Sequence, residues 1–290
     1  MIDNQLTLKD GRRLGYAEYG HRSGHPILFF HGSPGSRYES ALVDEAKLEK
    51  NTYFIAVERP GYGLSDPKPN RTILEWIKDV EELLDHLGLS KVDVIGVSGG
   101  GPYAIACAAT LADRVNRVAV VCGMGLLDVP GGLDGISDEE KTLVQAALYA
   151  PEKMAAQIAQ IHANPAALAD AAASQLPEFD QSIITPELVQ KWLMSAKEST
   201  RSSEGMISDY KLFSQPWDIA LNDISVPVHF WHGDHDTTIS LQHPQYLVEQ
   251  IPGATLQIIE GAGHLGTAIL GTQWAIEFLK EHAEKTNSLY

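Results

Sequence analysis

Short apolar runs that end at or near glycine recur along the chain and alternate with longer segments of helical periodicity. An apolar run bounded by turn residues is typical of a strand buried on both faces of a sheet. Strands that alternate with helices predict an α/β fold with a mostly parallel, doubly wound sheet. The predicted strands occupy residues 26–32, 52–61, 92–100, 115–123, 226–233 and 254–264, and the predicted helices occupy residues 72–88, 101–112, 243–251 and 271–285.

The N-terminal segment shows a different pattern, which predicts a β-hairpin. Two short runs within residues 5–20 are joined by Asp10 and Gly11, a residue pair that favours a tight turn between antiparallel strands.

The alternation breaks between residues 124 and 223, where no convincing strand pattern occurs. Ser137, with Glu140 three residues later, and Thr185, followed by Pro186, have the pattern of helix N-caps. A helical block between two late strands of a parallel sheet predicts a cap over the sheet edge. We therefore expect an α/β core of residues 1–123 and 224–290 and a helical cap of residues 124–223. The predicted cap helices occupy residues 137–150, 165–176, 185–200 and 202–213.

Charge and length narrow the classes of function. The chain has 290 residues, enough for a large core, and a net charge of -16 from 38 acidic and 22 basic residues, without a basic cluster. Such a surface repels polyanions, so nucleic acid and anionic membranes are not expected partners. The acidic excess is typical of a surface that keeps the protein in solution. The sequence leaves the oligomeric state open.

The cysteines and the hydrophobic segments indicate a cytoplasmic setting. Cys107 and Cys122 lie in apolar segments, so we expect two buried core residues and no disulfide framework. The first residues lack the basic start and apolar stretch of a signal peptide. No run approaches the ~20 apolar residues that span a bilayer.

Ser98 stands at the junction of a predicted strand and a predicted helix, between Gly96 and Gly100. Side chains at the two glycine positions would collide with the neighbouring elements of a sharp turn. Without them, the turn presents Ser98 at the N-terminus of a helix, where N–H groups and the helix dipole favour a developing negative charge. The pattern predicts a nucleophilic serine, and an ordinary helix N-cap is the alternative.

Residues suited to activating a serine follow in order. Asp234 and Asp236 come directly after the strand of residues 226–233, and His264 ends the last predicted strand. The carboxyl ends of parallel strands meet at one edge of a sheet, so we expect these groups near Ser98. The loop of residues 31–36 reaches the same edge, where a backbone N–H can help to bind an oxyanion.

Five motifs together resemble the α/β-hydrolase fold family over nearly the whole chain: HGSPG, ERPGYGLSD, GVSGGGPYA, HGDHD and GAGH. The resemblance implies Ser98 as nucleophile and His264 as general base. The family's G-x-x-D spacing selects Asp236 as the acid. The resemblance also implies an oxyanion hole formed by the N–H groups of Ser33 and Gly99, since Pro34 has no N–H.

Two other carboxylates remain alternatives for the acid. Asp234 precedes Asp236 by two residues, and Asp128 follows the strand of residues 115–123, which is the family's other site for this group.

Epoxide hydrolases and haloalkane dehalogenases carry an aspartate as nucleophile, and Ser98 argues against both. Proline iminopeptidases usually carry a bulky aromatic residue after the nucleophile, and Gly99 argues against that assignment.

Several residues also have less specific interpretations. His31 is expected to hold the oxyanion loop rather than to react. Large cap side chains at helical spacing are expected to pack rather than to contact substrate. A cluster between residues 229 and 236 invites a metal site, but Phe230 stands where the first ligand of the matching signature belongs. The cap side chains are Trp192, Met194, Tyr210, Phe213 and Trp217, and the cluster contains His229, His232, Asp234, His235 and Asp236.

The sequence therefore predicts a serine hydrolase, free of cofactor and metal, that cleaves a small or medium, largely uncharged carboxylic ester through an acyl-enzyme. Lactonases, carbon–carbon bond hydrolases and cofactor-free perhydrolases use the same three groups. Some relatives with intact groups act as small-molecule receptors. These alternatives stay open at this point, because the pocket that would separate them is built by the cap.

Overall fold

Eight β-strands form one sheet in the computed structural model, which describes residues 1–39, 51–166 and 176–287. The strands are β1 (Ile2–Thr7), β2 (Arg13–Gly20), β3 (His25–Phe30), β4 (Thr52–Val57), β5 (Val92–Val97), β6 (Val115–Val121), β7 (Val228–Gly233) and β8 (Thr255–Ile259). Their order is β1-β2-β4-β3-β5-β6-β7-β8. The pairs β1/β2 and β2/β4 are antiparallel, and the others are parallel. The predicted fold class is confirmed.

The helices of the described residues fall into two groups. Four lie beside the strands of the core, and five lie between β6 and β7, where they form the predicted helical cap. In chain order they are α1 (Ile73–Leu87), α2 (Gly101–Thr110), α3 (Asp138–Tyr149), α4 (Pro151–Ala163), α5 (Glu178–Ile183), α6 (Pro186–Ser199), α7 (Glu204–Phe213), α8 (Gln242–Gln250) and α9 (His264–Asn287). The exact division of core and cap at residues 124–223 stays a prediction.

Both faces of the central strands are buried, which explains their uninterrupted apolar sequences. In β3, Leu28 packs in the same cluster as Trp76 of α1, whereas Phe29 packs in the same cluster as Ile276 of α9. Successive side chains of a strand point to opposite faces, so an alternating pattern would leave polar groups inside one layer. Fully burying one such side chain contributes roughly 1.5–3 kcal/mol.

Side-chain caps begin two of the cap helices at the predicted residues. Ser137 Oγ accepts a hydrogen bond from the N–H of Glu140 at 3.2 Å, and Thr185 Oγ1 accepts one from the N–H of Leu188 at 3.2 Å. Helices α4 and α5 were not predicted, because α4 buries few apolar side chains and α5 is a short helix. The predicted helix of residues 165–176 lies mostly outside the described residues.

Several predicted boundaries are wrong. The strands predicted at residues 52–61, 92–100 and 254–264 end at Val57, Val97 and Ile259. The Asp10–Gly11 hairpin is not closed by a two-residue turn, because Leu8 N–H bonds to Arg12 O and the loop spans residues 8–12. Helix α9 begins at His264, not at residue 271. Its first residues, HLG, contain no side-chain N-cap of the usual kind. The acceptor comes instead from Asp180 in the cap.

The structure also bears on the expectations for the two cysteines and for membrane-spanning segments. Cys107 and Cys122 are fully buried and unpaired, as predicted. In the part of the chain that the structure describes, no helix combines the length and the apolar composition needed to cross a membrane.

Candidate active site

A sharp turn between β5 and α2 presents Ser98. Its φ of 50° lies in the left-handed region, which costs energy for any residue other than glycine. A Cβ on Gly96 would lie 2.5 Å from the carbonyl oxygen of Gly100, and a Cβ on Gly100 would lie 2.2 Å from that of Phe30. The two glycines are therefore required by the close approach of strand, turn and helix, as predicted.

The predicted histidine and one of the predicted aspartates form a hydrogen-bonded chain with the serine. His264 Nε2 lies 3.0 Å from Ser98 Oγ, and His264 Nδ1 lies 2.8 Å from Asp236 Oδ2. The three residues follow β5, β7 and β8 at one edge of the sheet. Such a chain can take the hydroxyl proton while the oxygen attacks an electrophilic centre.

The turn after β7 decides which aspartate meets His264. Asp236 Oδ1 accepts hydrogen bonds from the N–H groups of Thr238 at 3.0 Å and Ile239 at 2.9 Å, which leaves Oδ2 for the imidazole. Asp234 is exposed, and its Oδ1 accepts a hydrogen bond from the N–H of Gly261 at 2.6 Å. The alternative Asp128 is also exposed.

Opposite shifts of pKa follow from the contact between His264 and Asp236. Burial raises the pKa of Asp236, but the charge of His264 and hydrogen bonds from His232 and His264 outweigh it, and the pKa lies well below its usual value. Burial lowers the pKa of His264, but the charge and hydrogen bond of Asp236 outweigh it, and the net shift is upward. The pair thus favours a protonated imidazole beside an ionised carboxylate.

His232 lies behind the carboxylate, a position that sequence reasoning considered only for a metal. Its Nε2 is 2.7 Å from the carbonyl oxygen of Ile239 and 3.3 Å from Asp236 Oδ2. A proton on Nε2 satisfies that carbonyl and faces the carboxylate. The sequence carries no signal for this contact, because His232 lies in a strand, where a spacing of four residues does not bring two side chains together.

The loop after β3 brings Ser33 and Gly99 together beside Ser98. A Cβ on Gly32 would lie 3.4 Å from Ser98 Cβ, and a Cβ on Gly99 would lie 2.7 Å from Ser33 Oγ. Gly99 belongs to the first helical turn after β5, where backbone N–H groups have no intrahelical acceptor. Both backbone segments named by the sequence thus border the same small space.

His31 holds this loop through its ring. The ring is fully buried, Nδ1 lies 2.7 Å from the carbonyl oxygen of Gly32, and Nε2 accepts the N–H of Arg59 at 3.3 Å. Burial and the charge of Arg59 lower the pKa of His31 well below its usual value, so the ring is neutral. The predicted structural role of His31 is confirmed.

Two further carboxyl groups, which the sequence analysis did not assign to the site, lie beside it. Glu39 Oε2 accepts the N–H of Gly32 at 2.6 Å, and burial raises the pKa of Glu39 to about 7. Glu140 Oε2 accepts the hydroxyl of Tyr210 at 2.9 Å, and burial also raises the pKa of Glu140. Both carboxyls help to raise the pKa of His264. The sequence signalled Glu140 only as part of a helix cap.

The cap also reaches the histidine side of the site. Asp180 on α5 is fully buried, and its two oxygens accept the N–H groups of Gly263 at 2.7 Å and Gly266 at 2.9 Å, on either side of His264. A Cβ on Gly266 would lie 2.3 Å from Asp180 Oδ1. The glycines leave room for this carboxylate, which caps the N-terminus of α9.

The large cap side chains that the sequence singled out differ in burial. Tyr210, Phe213 and Trp217 are buried and pack as predicted, whereas the same prediction is wrong for Met194, which is 56% exposed. Trp192 is half-buried.

The residues of the cluster between residues 229 and 236, which the sequence analysis argued against as a metal site, are dispersed, because His229 and His232 of β7 point to opposite faces. His229 Nδ1 bonds to Thr255 Oγ1 at 2.7 Å, whereas His232 faces Asp236, and His235 is exposed. Within the described ranges, no group of three or more potential ligands could hold a metal ion.

Comparisons with known proteins agree with this architecture. A protein-family profile described as alpha/beta hydrolase fold matches residues 25–267. The uncharacterized hydrolase YcgS of Bacillus subtilis (strain 168) is 27% identical over 265 residues, which cover 88% of this chain and 89% of that protein. The 2-hydroxy-6-oxo-6-phenylhexa-2,4-dienoate hydrolase of Burkholderia cepacia is 27% identical over 242 residues, 81% of this chain and 74% of that protein.

A solved structure shows the same fold. The esterase EaEST from Exiguobacterium antarcticum superposes with a TM-score of 0.72 at 20% identity, and the match covers 98% of this chain and 100% of that one. At this identity, the likeness concerns the fold alone.

Proposed function

Because the chain belongs to the α/β-hydrolase fold family, a family of hydrolases, we propose that it cleaves small or medium carboxylic esters through an acyl-enzyme. One observation carries this proposal: Ser98 Oγ, His264 and Asp236 form a continuous hydrogen-bonded chain, with distances of 3.0 and 2.8 Å. The strained turn at Ser98 holds the hydroxyl at the end of that chain.

In the proposed reaction, Ser98 Oγ attacks the ester carbonyl while His264 Nε2 takes its proton. Asp236 orients the imidazole and stabilises its protonated form. The N–H groups of Ser33 and Gly99 bind the oxyanion, and the loss of one such donor typically costs ~10²–10³ in rate. His264 then protonates the leaving alcohol, and water releases the acid by the same steps in reverse.

Charge near the site supports an uncharged substrate. Glu39 and Glu140 lie close enough to raise the pKa of His264, so a substrate carboxylate would meet two acidic groups. Arg59 and Arg71, the buried arginines of this region, both pair with Asp209. Neither guanidinium is therefore available to an anionic substrate without loss of its buried partner.

Carbon–carbon bond hydrolysis is the second candidate, favoured by the similarity to the Burkholderia cepacia dienoate hydrolase. The same three groups can serve that reaction. We place it second because a dienoate is a carboxylate, and the acidic groups at this site oppose such a charge. Lactones are esters and belong with the first candidate.

A fluorophosphonate probe and a panel of p-nitrophenyl esters of graded chain length test the proposal. We expect the probe to label Ser98, short esters to turn over faster than long ones, and Ser98→Ala to lose both properties with its fold intact. Labelling at another residue, or turnover that survives Ser98→Ala, would reject the assignment. Faster turnover of a 2-hydroxy-6-oxo dienoate than of any ester would favour the second candidate.

A further inference from the structure

The loop that carries Ser33 rests on a buried group of charged and hydroxyl side chains contributed by both core and cap. Its centre is Asp209, on cap helix α7, which is fully buried. We call this group the Asp209 cluster. Its members are Asp209, Arg59, Arg71, Tyr62, Tyr103 and the hydroxyl of Ser33.

The two oxygens of Asp209 serve different neighbours. Oδ2 accepts hydrogen bonds from Arg59 Nε, Tyr62 and Ser33 Oγ, each at 2.9 Å. Oδ1 accepts the hydroxyl of Tyr103 at 2.6 Å and also Nη2 of Arg71. Only the Oδ2 side therefore touches the loop of residues 31–34.

Arg59 connects the Asp209 cluster to the backbone of that loop. Its Nη1 donates to the carbonyl oxygen of His31, and its Nη2 donates to that of Gly32 at 2.8 Å and to Ser33 Oγ at 2.9 Å. One planar guanidinium, itself held by Asp209, thus holds two consecutive carbonyl groups. A fork of fixed geometry is suited to this task.

The hydrogen bonds from Arg59 to the loop carbonyls also determine the direction of the Ser33 N–H. The C=O of Gly32 and the N–H of Ser33 belong to the same planar peptide group. In a trans peptide group these two bonds point in opposite directions, so a carbonyl that faces Arg59 leaves the N–H pointing away from it. The preceding peptide behaves in the same way: His31 C=O faces Arg59, and Gly32 N–H faces Glu39 at 2.6 Å. The N–H of Ser33 thereby points away from Arg59, and Ser33 itself lies beside Gly99, the residue after Ser98.

Charge adds to this orientation. Two guanidinium groups face a single carboxylate in the Asp209 cluster, so the cluster carries excess positive charge. Burial raises the pKa of Asp209, but the charges of Arg59 and Arg71 outweigh it, and the pKa lies below its usual value. A cation that binds the carbonyl side of a peptide polarises it and strengthens its N–H as a donor.

We propose that Arg59 and Asp209 are positioning residues of the ester hydrolysis, and that the cap, through Asp209, sets the geometry of the oxyanion hole. This inference rests on the proposed function. Arg59 touches no substrate atom in this scheme and acts only through the Gly32–Ser33 peptide. Seating of α7 on the core is therefore a requirement for a fast chemical step.

Arg59→Lys and Arg71→Lys form a matched pair, since both arginines are buried partners of Asp209 and only Arg59 holds the loop. Lysine keeps the charge but cannot hold two carbonyls and Asp209 at once. We expect Arg59→Lys to lose about 10- to 100-fold in kcat on p-nitrophenyl butyrate with little change in KM. Arg71→Lys should lose less than about threefold, at a similar cost in stability.

Two further measurements separate positioning from general damage. Inhibition by a trifluoromethyl ketone, which forms an oxyanion on Ser98, should weaken in Arg59→Lys in parallel with kcat/KM and stay nearly unchanged in Arg71→Lys. Hydrogen–deuterium exchange of a peptide spanning residues 29–36 should accelerate only in Arg59→Lys. Equal kcat losses and equal exchange in the two variants would overturn the proposal.

A milder pair serves if either lysine variant fails to fold. Ser33→Ala removes one hydroxyl from Oδ2 of Asp209, and Tyr103→Phe removes one from Oδ1. We expect a kcat loss of up to about tenfold for Ser33→Ala only, and a reversed order would contradict the proposal. If the wild type neither hydrolyses esters nor is labelled at Ser98, the proposed function fails, and the exchange measurement still decides whether Arg59 positions the loop.

Discussion

The two backbone segments that border the candidate site, the turn at Ser98 and the loop of residues 31–34, are held by different forces. The turn depends on missing atoms: Gly96 and Gly100 allow strand and helix to approach within distances that a Cβ would prevent. The two glycines lie close together in the chain, so the sequence reveals the turn, although Gly100 packs against the carbonyl of Phe30 on the neighbouring strand β3.

The loop depends on added groups from far away. Arg59 lies 27 residues after Gly32, and Asp209 lies 176 residues after Ser33. Buried carbonyl groups in a loop need donors, and a non-helical, non-sheet segment cannot supply them itself. The comparison teaches that the turn is marked by glycines close together in the chain, whereas the loop takes its hydrogen-bond partners from distant residues of both core and cap.

The largest expected effect is a loss of kcat that distinguishes the turn, which acts through the side chain of Ser98, from the loop, which acts through the backbone of Ser33. Ser98→Ala should lower kcat by about 10⁶-fold, because the turn acts through its hydroxyl. Ser33→Ala should lower kcat by no more than about tenfold, because the loop acts through its N–H and loses only the contacts of the hydroxyl with Asp209, Arg59 and Tyr62. Ester kinetics on both variants, with circular dichroism as a control of folding, measure the difference. A loss in Ser33→Ala as large as in Ser98→Ala would break the comparison.

The turn that bears Asp236 should resemble the turn at Ser98, since backbone N–H groups of Thr238 and Ile239 orient it locally. Asp236→Asn should lower kcat by about 10⁴-fold, because the amide favours the wrong tautomer of His264. Asp234→Asn, two residues away and exposed, is the matched control and should change kcat by less than about threefold. If the larger loss belongs to Asp234→Asn, the acid is misassigned, and if both are silent, Asp128 is the next residue to change.

Crowding at the turn predicts a loss of stability. Gly100→Ala places a Cβ 2.2 Å from the carbonyl oxygen of Phe30, whereas Gly101→Ala places one 3.1 Å from Gly123 Cα. We expect Gly100→Ala to lower the free energy of unfolding by about 3 kcal/mol, and Gly101→Ala by about 1 kcal/mol or less. Urea unfolding of both variants provides the measurement. Similar values would show that contact distance does not control the turn.

The cap's hold on the histidine should give a smaller effect. Asp180→Asn replaces one of two acceptors at the N-terminus of α9 by a donor, which then faces an N–H of Gly263 or Gly266. We expect a loss of about tenfold in kcat from displacement of His264. Glu178→Gln, an exposed change on the same helix, should have no effect. Equal rates for the two variants would contradict a positioning role for Asp180.

The smallest expected effect is a shift in the pH dependence of kcat/KM when Glu39, the carboxyl group beside the loop, is neutralised. Ionised Glu39 helps to raise the pKa of His264, so Glu39→Gln should move the rising limb of kcat/KM towards lower pH, by less than about one unit. Ser33→Ala, which keeps the carboxyl, should leave the limb in place. A limb that does not move in Glu39→Gln would show that Glu39 is not coupled to His264.

The same carboxyl affects stability with a definite sign. Its pKa is about 7 in the folded protein against the usual 4.5, so the folded state binds the proton more tightly. Stability is therefore lost as the pH rises between these values, and Glu39→Gln should remove that part of the loss. Thermal unfolding at pH 5 and pH 8 checks this sign.

By itself, the sequence determined the features that depend on near neighbours along the chain. Periodicity predicted the parallel sheet and its strands, the glycines around Ser98 predicted the turn, and Ser137 and Thr185 predicted two helix starts. The resemblance in the HGDHD motif also indicated Asp236. These features were predictable because sterics, strand burial and N-capping act over a few residues.

Only the tertiary structure decided how the loop and the histidine are held. The start of α9 was misplaced because its capping carboxylate, Asp180, lies in another part of the chain. Asp209 gave no local signal either, and Arg59 stood in the ERPGYGLSD motif without an assigned role, since a charged residue on a helix or at the end of a strand is normally solvated. Their roles arise when α7 buries against the core and each charge must find a partner there.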